Sequence, residues 1–165
     1  MSELAAVAPE FVAMAHRIVW CSAATVGTDG RPRSRVLHPI WEWDGEELHG
    51  WIATSPRSPK AAELAAVPAV SLNYWAPNQD TCTADCTALF ESDPAAVAAG
   101  WRRFAEGADP VGYDPSIIPG WDDPGSPTFG VLRLAPYRLR VMPGTVMTGG
   151  GGALLTWTGP ATGAP

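Results

Sequence analysis

The chain has 165 residues, of which 46% are hydrophobic and 17% charged, with a net charge of −6 and three cysteines. An acidic chain of this balance does not suit a phosphate backbone, which excludes a general nucleic-acid binder, and no apolar run approaches the roughly 20 residues of a membrane-spanning helix. The length suits one domain, read as residues 1–158 with a disordered tail over 159–165, and eight tryptophans beside so few charges call for extensive burial, part of it at an oligomer interface.

Leu4, Val7, Ala8, Phe11 and Met14 or Ala15 recur at helical spacing. The same segment carries Glu3 and Glu10 and lacks the basic start of a signal peptide, so a cytoplasmic location is expected. Arg17–Val26 is rich in β-branched and aromatic residues and reads as a strand, with Gly27-Thr28-Asp29-Gly30 as a turn. Arg31–Trp43 reads as a second strand. Asp44-Gly45 is a strong hairpin signal before a third strand over Glu46–Thr54.

Ser58 and Pro59 mark a helix start as N-cap and first helical residue, and Pro68 ends that helix. Ala69–Trp75 and Thr81–Glu91 read as the fourth and fifth strands. Asp93-Pro94 opens a helix with Val97, Trp101 and Phe104 as its stripe. The Gly-, Pro- and Asp-rich stretch from Gly107 to Pro127 reads as a long, partly ordered loop with one helical turn. Thr128–Met142 is a sixth strand, bent at Pro136, and Thr145–Trp157 a last hairpin around Gly149–Gly152. Strands joined mainly by hairpins, with few helices, favour an antiparallel sheet closing into a barrel, a mainly β fold.

Five of the 11 Lys and Arg residues, Arg31, Arg33, Arg35, Arg57 and Lys60, fall within positions 31 to 60. Strand alternation turns Arg33 and Arg35, with Leu37, to one face. Two adjacent cations repel, an arrangement that suits a bound anion. The helix start at Ser58 offers unpaired N–H groups and a partial positive charge, and Lys60 in its first turn is disfavoured unless an anion is near. A phosphate there would accept the N–H groups and pair with Lys60 and Arg57. The alternative is that these cations are solvated or pair with Glu42, Glu46 or Glu47.

The run Ala24–Leu37, the step Ser58-Pro59-Lys60-Ala61 and the strand Val70–Trp75 together resemble the FMN-binding split-barrel proteins of the pyridoxamine 5'-phosphate oxidase type, in element order over residues 10 to 142. The resemblance implies a six-stranded split barrel and a homodimer with FMN at its interface. It also implies that Arg35, Val36, Leu37 and His38 meet the flavin from the second strand, with Arg33 their neighbour in the basic cluster. Ala53 and Thr54 would lie beside the ribityl chain or ring, and Ser58 and Lys60 would grip the phosphate. Pro59 stands where the family often has a second Arg, which gives that role to Arg57. Asp85, on the fifth strand, would approach the ring from the partner subunit.

Val131–Pro136 matches only the family's last strand. The Trp/Arg/His run that takes pyridoxamine phosphate is absent, so the substrate expected is another small molecule, apolar or aromatic. Related proteins include deazaflavin-dependent reductases, where Arg31 and Arg17 would serve the longer acidic tail, and non-catalytic flavin-binding or stress proteins. His38 is either a proton donor near the ring or a packed strand residue.

No metal site is expected. Cys82 and Cys86 on one strand stand roughly 13 Å apart, too far for a disulfide or shared metal, and His16, His38 and His49 form no H-E-x-x-H pattern. Buried thiols are the simplest reading of the cysteines. A G-x-S-x-G elbow is lacking, and Gly149–Gly152 has no following Lys-Ser/Thr for a phosphate loop.

Overall fold

A computed structural model of the chain describes residues 3–160. The helix α1 (Glu3–Ile18) buries the stripe Val7, Ala8, Phe11, Met14 and Ala15, as its spacing predicts. It runs further than expected, so the first strand begins at Cys21 rather than near Arg17. In chain order there follow β1 (Cys21–Val26), β2 (Pro32–Leu37), β3 (Pro39–Trp43), β4 (Leu48–Ala53), α2 (Pro59–Ala66), β5 (Ala69–Trp75), β6 (Thr81–Phe90), α3 (Pro94–Ala105), a short 3₁₀ turn (Pro115–Ile117), β7 (Val131–Met142), α4 (Gly144–Thr148) and β8 (Leu155–Thr158).

All strand pairs are antiparallel, in the order β2-β1-β5-β6-β7-β4-β3, with β8 added beside β7. The fold is mainly β with peripheral helices, as expected. The sheet has eight strands rather than six, and two differences account for the count. The expected single strand Arg31–Trp43 is divided at His38, and its halves lie at opposite ends of the sheet. Pro39, which lacks an N–H, opens the edge strand β3, a position where no ladder bond is lost. The expected terminal hairpin is instead α4, stopped by Gly149 in the left-handed region (φ 75), followed by β8 against Arg138–Val141.

Pro136 bends β7 without breaking it. The pairing with β6 shifts register between Asp85 and Cys86, leaving Tyr137 as the extra residue of a bulge. Near this point β7 changes its second partner, from β4 at Val131–Leu134 to β8 at Arg138–Val141.

The core lies between the curled sheet and α1, which touches β3, β5, β6, β7 and β8. At its centre Trp41 donates its indole N–H to the Tyr74 hydroxyl (2.9 Å) and meets Phe11 edge-on, at 4.9 Å between ring centroids. His16 of α1 accepts the Trp41 backbone N–H through Nε2 (2.9 Å), satisfying a donor on an edge strand. The three thiols are free and buried, and Cys82 and Cys86 both point inward from β6. Of the tail expected after Thr158, Gly159 donates its N–H to the Tyr137 carbonyl (2.8 Å), and residues 161–165 lie outside those described. No helix among the described residues is long and apolar enough to cross a membrane.

Gly50 of β4 sits opposite Trp41 in register, where a Cβ would come within 2.7 Å of the Trp41 ring. Gly→Ala in a strand ordinarily gains roughly 0.5–1 kcal/mol of backbone entropy. Here Trp41 is held on two sides and cannot retreat, so overpacking wins. Gly50→Ala is expected to destabilise the fold by about 1–3 kcal/mol, read as a lower urea midpoint at unchanged slope. A stabilised variant would contradict this packing.

Candidate functional site

Two neighbouring regions draw together the residues expected to act, a cation cluster at the start of α2 and an apolar cleft at the seam where β2 passes into β3. In the cluster, alternation along β2 leaves Arg35 and Leu37 half-buried and Arg33 exposed. Arg35 donates to Glu63 of α2 (Nη2 to Oε2, 2.8 Å) and to the Thr25 hydroxyl, which in turn donates to the same carboxylate oxygen. Glu63 and Thr25 are both buried. The Thr25 hydroxyl and the Arg35 guanidinium hold the Glu63 carboxyl below its ordinary range. Arg33 pairs with Asp29 (2.9 Å).

Arg33 and Arg35 are therefore not a repelling pair awaiting an anion, because each has a carboxylate of its own. None of the cations pairs with Glu46 or Glu47 among the described residues. Glu42 is taken by Arg103 of α3 (2.7 Å), which also stacks on Trp51. Arg57 and Lys60 form no ion pair among the described residues. Arg57 is exposed, and Lys60 is half-buried with its ammonium donating to the Ser58 hydroxyl (2.8 Å). Burial and the neighbouring Arg35 lower the Lys60 pKa.

The helix end offers fewer donors than expected. Ser58 has the extended backbone of an N-cap, but its hydroxyl turns back to the Ser55 carbonyl (2.7 Å). Its N–H bonds to the same oxygen, and Pro59 has no N–H at all.

The cleft, of about 430 Å³, is lined by Val36, Leu37 and His38 of the β2–β3 passage and by Ala53 at the end of β4. Val19 and Trp20, just beyond the end of α1, also line it, and Val19 has φ 72. A β-branched residue in the left-handed region stores on the order of 1–3 kcal/mol of strain, a feature concentrated at functional sites. Thr54, beyond Ala53, is buried and spends its N–H on the Gly130 carbonyl (2.9 Å), so it does not line the cleft.

His38 is boxed by Trp20 (5.0 Å between centroids), Tyr113 (5.2 Å) and Phe104 (6.3 Å). Burial lowers its pKa against a hydrogen bond with the Val111 backbone that raises it, and its buried Nε2 has no partner among the described residues. Asp85 lies away from the cleft, on the outward face of β6, where it pairs with Arg138 (3.4 Å). Arg17, a candidate for a longer acidic tail, pairs with Asp80, and Arg31 stays exposed with Asp29 at 4.0 Å.

Sequence reasoning missed Glu63, Thr25 and the opposite wall of the cleft. Glu63 carried a usable signal, standing beside Leu64 and one turn after Lys60 on the face that α2 turns to the sheet. The wall comes from the segment expected to be partly ordered, which is instead pinned at several points. Tyr113 bonds back to the Phe104 carbonyl (2.9 Å), and the Trp121 indole bonds to the Thr128 carbonyl (2.8 Å).

At neutral pH Glu63→Gln is expected to cost about 1–3 kcal/mol, because it weakens a charge-assisted bond to Arg35. The folded-state pKa of Glu63 lies below its unfolded value of about 4.3, so its contribution is complete above that pH and is lost as pH falls through the folded pKa. The stability gap between parent and variant should therefore narrow in acid. Urea unfolding at neutral pH and below about pH 4 reads this directly, and a constant gap would show that Glu63 is not ionised against Arg35.

The sequence profile of the family described as Pyridoxamine 5'-phosphate oxidase matches residues 7–142. No curated protein matches the sequence. Among solved structures, the chain is similar to a Clostridium acetobutylicum protein related to general stress protein 26 of B. subtilis (pyridoxinephosphate oxidase family), with TM-score 0.66 and 14% identity over 96% of each chain. It is similar to a pyridoxamine 5'-phosphate oxidase-related, FMN binding protein from Nostoc punctiforme, with TM-score 0.59 and 21% identity over 76% of this chain and 74% of that one. An F420 reductase aligns with TM-score 0.57 and 16% identity over 78% of this chain and 94% of its own. Likeness at such identities is a likeness of fold. The profile match, which runs from α1 to the end of β7, carries the family, and the chain belongs to the pyridoxamine 5'-phosphate oxidase family.

Proposed function

We propose that the protein binds a phosphorylated flavin, FMN, and works as a flavin-dependent oxidoreductase on a small molecule. The observation that carries this reading is that two short stretches of chain each join the cation cluster to the apolar cleft. Along β2, Arg35 leads within three residues to Val36, Leu37 and His38, a span of roughly 10 Å in an extended strand. From Ala53 at the cleft, the chain leads directly to Arg57, Ser58 and Lys60. A ligand with an apolar ring at one end and a phosphate at the other matches both regions.

The donor set fits the group with one revision. Arg57 and Lys60, the two cations of the cluster without a carboxylate partner among the described residues, would be the phosphate's primary contacts, and Arg35 a positioning residue that ties β2 to α2. Such a cofactor would supply the electron-transfer chemistry, with Val36, Leu37 and Ala53 of the cleft excluding water and the His38 imidazole available to hold a proton there. Membership in the family and the fold shared with an FMN binding protein support this reading.

A homodimer with the cofactor at its interface belongs to the same proposal. It is supported by the exposed Trp20 and Val36 at the cleft mouth, apolar surface that a second copy would cover, and in it Asp85 acts on the partner's cleft. A deazaflavin shares the phosphate contacts, and the F420 reductase fold keeps it in view. Against it stands Arg17, which Asp80 already neutralises.

The test is titration of the purified protein with FMN and with a deazaflavin, followed by visible absorption and fluorescence. FMN is expected to bind with a perturbed spectrum, and Lys60→Ala and Arg57→Ala to weaken it by about 1.5–3 kcal/mol each. Arg33→Ala is expected to have a smaller effect, because its charge is already balanced by Asp29. Arg35→Ala is a poor probe, since it leaves Glu63 buried and unpaired. Unchanged affinity in both the Lys60 and Arg57 variants would move the phosphate elsewhere, and a protein that ignores FMN would end the reading.

A further inference from the structure

We infer that Lys60 is a modification site that takes the acyl group of a small acyl phosphate, and that this acylation switches off the anion site it shares with Arg57. The reactivity stands on the cation cluster alone, and only its consequence for FMN rests on the flavin reading.

Three observations carry it. First, of the 11 Lys and Arg residues in the sequence ten are Arg and one is Lys, and that one stands at the start of α2. Arg keeps its proton throughout the physiological range, whereas a lysine amine is a nucleophile once deprotonated. Second, no carboxylate holds Lys60 as an ammonium. It forms no ion pair among the described residues. Of the charged groups acting on it, Arg35 of β2 opposes a positive charge and Glu63, one turn along α2, favours it. That carboxylate already serves Arg35 and Thr25. Half-burial and Arg35 lower the Lys60 pKa, so more of the free amine is present than on an exposed lysine.

Third, the loop before α2 holds the amine and an anchor for an anion on one short turn. Lys60 donates through Nζ to the Ser58 hydroxyl (2.8 Å), which donates its own proton to the Ser55 carbonyl (2.7 Å). The Ser58 oxygen is thereby fixed as an acceptor for one amine N–H, which leaves the lone pair of the neutral amine to an electrophile. The Ser58 N–H bonds to the same carbonyl (3.2 Å) and the Arg57 N–H to the Ser55 hydroxyl (3.2 Å). The Arg57 guanidinium, exposed and without a carboxylate among the described residues, completes the turn. An acyl phosphate pairs its phosphate with Arg57. The neutral amine attacks the acyl carbon, a C–N bond forms, and the C–O bond to phosphate breaks. Inorganic phosphate leaves with that electron pair, and the amine proton passes to solvent. The resulting amide carries no charge, so one of the two cations that would meet a phosphate is lost.

The experiment treats the full chain with acetyl phosphate and locates the modified residue by peptide mapping and mass spectrometry. At neutral pH Lys60 is expected to be acetylated at least about threefold faster than the side chain of N-acetyl-lysine amide, and to reach its maximal rate at a lower pH, as a lowered amine pKa requires. Arg57→Ala is expected to slow the reaction with acetyl phosphate at least about threefold more than the reaction with phenyl acetate, an uncharged ester. Inorganic phosphate, as a competitor, gives the same comparison should that variant fail to fold. The acetylated parent is expected to bind FMN at least about tenfold more weakly, whereas Lys60→Arg, which keeps the charge and removes the amine, should hold its FMN affinity through the same treatment. A Lys60 no faster than the free amino acid derivative would overturn the inference, as would acetyl phosphate and phenyl acetate responding alike to Arg57→Ala and to phosphate. So would an acetylated chain that binds FMN as tightly as before. The flavin reading fails separately: FMN then binds nowhere, while Lys60 of the bare chain keeps its rate and its dependence on Arg57.

Discussion

One residue, His38, joins the two ends of the sheet. β2 ends at Leu37 on one edge and β3 begins at Pro39 on the other, with five strands between them in the hydrogen-bonded order. A flat sheet would hold those edges several strand spacings apart, at about 4.8 Å each, so the covalent link forces the sheet to curl until its edges meet. They meet without pairing, which leaves an open seam rather than a closed barrel. The core and the cleft both follow from this. Curling brings β3 towards β5, so that Trp41 reaches Tyr74, and it brings Val36, Leu37 and His38 together with Ala53 at the end of β4 on one side of a groove. The unpaired backbone at the seam is a liability, which α1 relieves in part by lending His16 to Trp41.

Electrostatics then divide the cations by role. A buried Arg–carboxylate contact is worth keeping only when its remaining bonds are satisfied, and Thr25 does that for Arg35 and Glu63 by linking to both. The result is a rigid joint between β2 and α2 rather than a free cation. Arg33 is balanced by Asp29 at the turn. Within the cluster, Lys60 and Arg57 are left without a carboxylate partner among the described residues, on the short path from the cleft to α2. Two uncompensated cations thus stand close together in sequence on a protein whose net charge is −6.

The segment between α3 and β7 shows how a composition typical of loops can form a wall. Its glycines are placed for close approach, Gly112 against Gly107, and its aspartates cap turns: Asp114 accepts the Ser116 N–H and Asp123 the Gly125 N–H. Trp121 fastens the far end. Gly, Pro and Asp mark bends, and bends held by tertiary bonds are as fixed as strands.

Much of the fold was legible in the order of residues. The apolar stripe of α1, the Asp44-Gly45 turn between β3 and β4, and the Ser58-Pro59 and Asp93-Pro94 helix starts are decided within a few residues, by backbone preference and side-chain period. The basic cluster was legible as a cluster for the same reason. Three things were not: that one continuous strand pattern serves two opposite edges of a sheet, that Glu63 neutralises Arg35 across 28 residues of chain, and that Ile117, Ile118 and Trp121 face Val36 and His38. Each depends on partners far apart in sequence. Local propensity sets what a segment can become, whereas the curl of the sheet, and the burial and desolvation that come with it, decide which segments meet and which charges remain free.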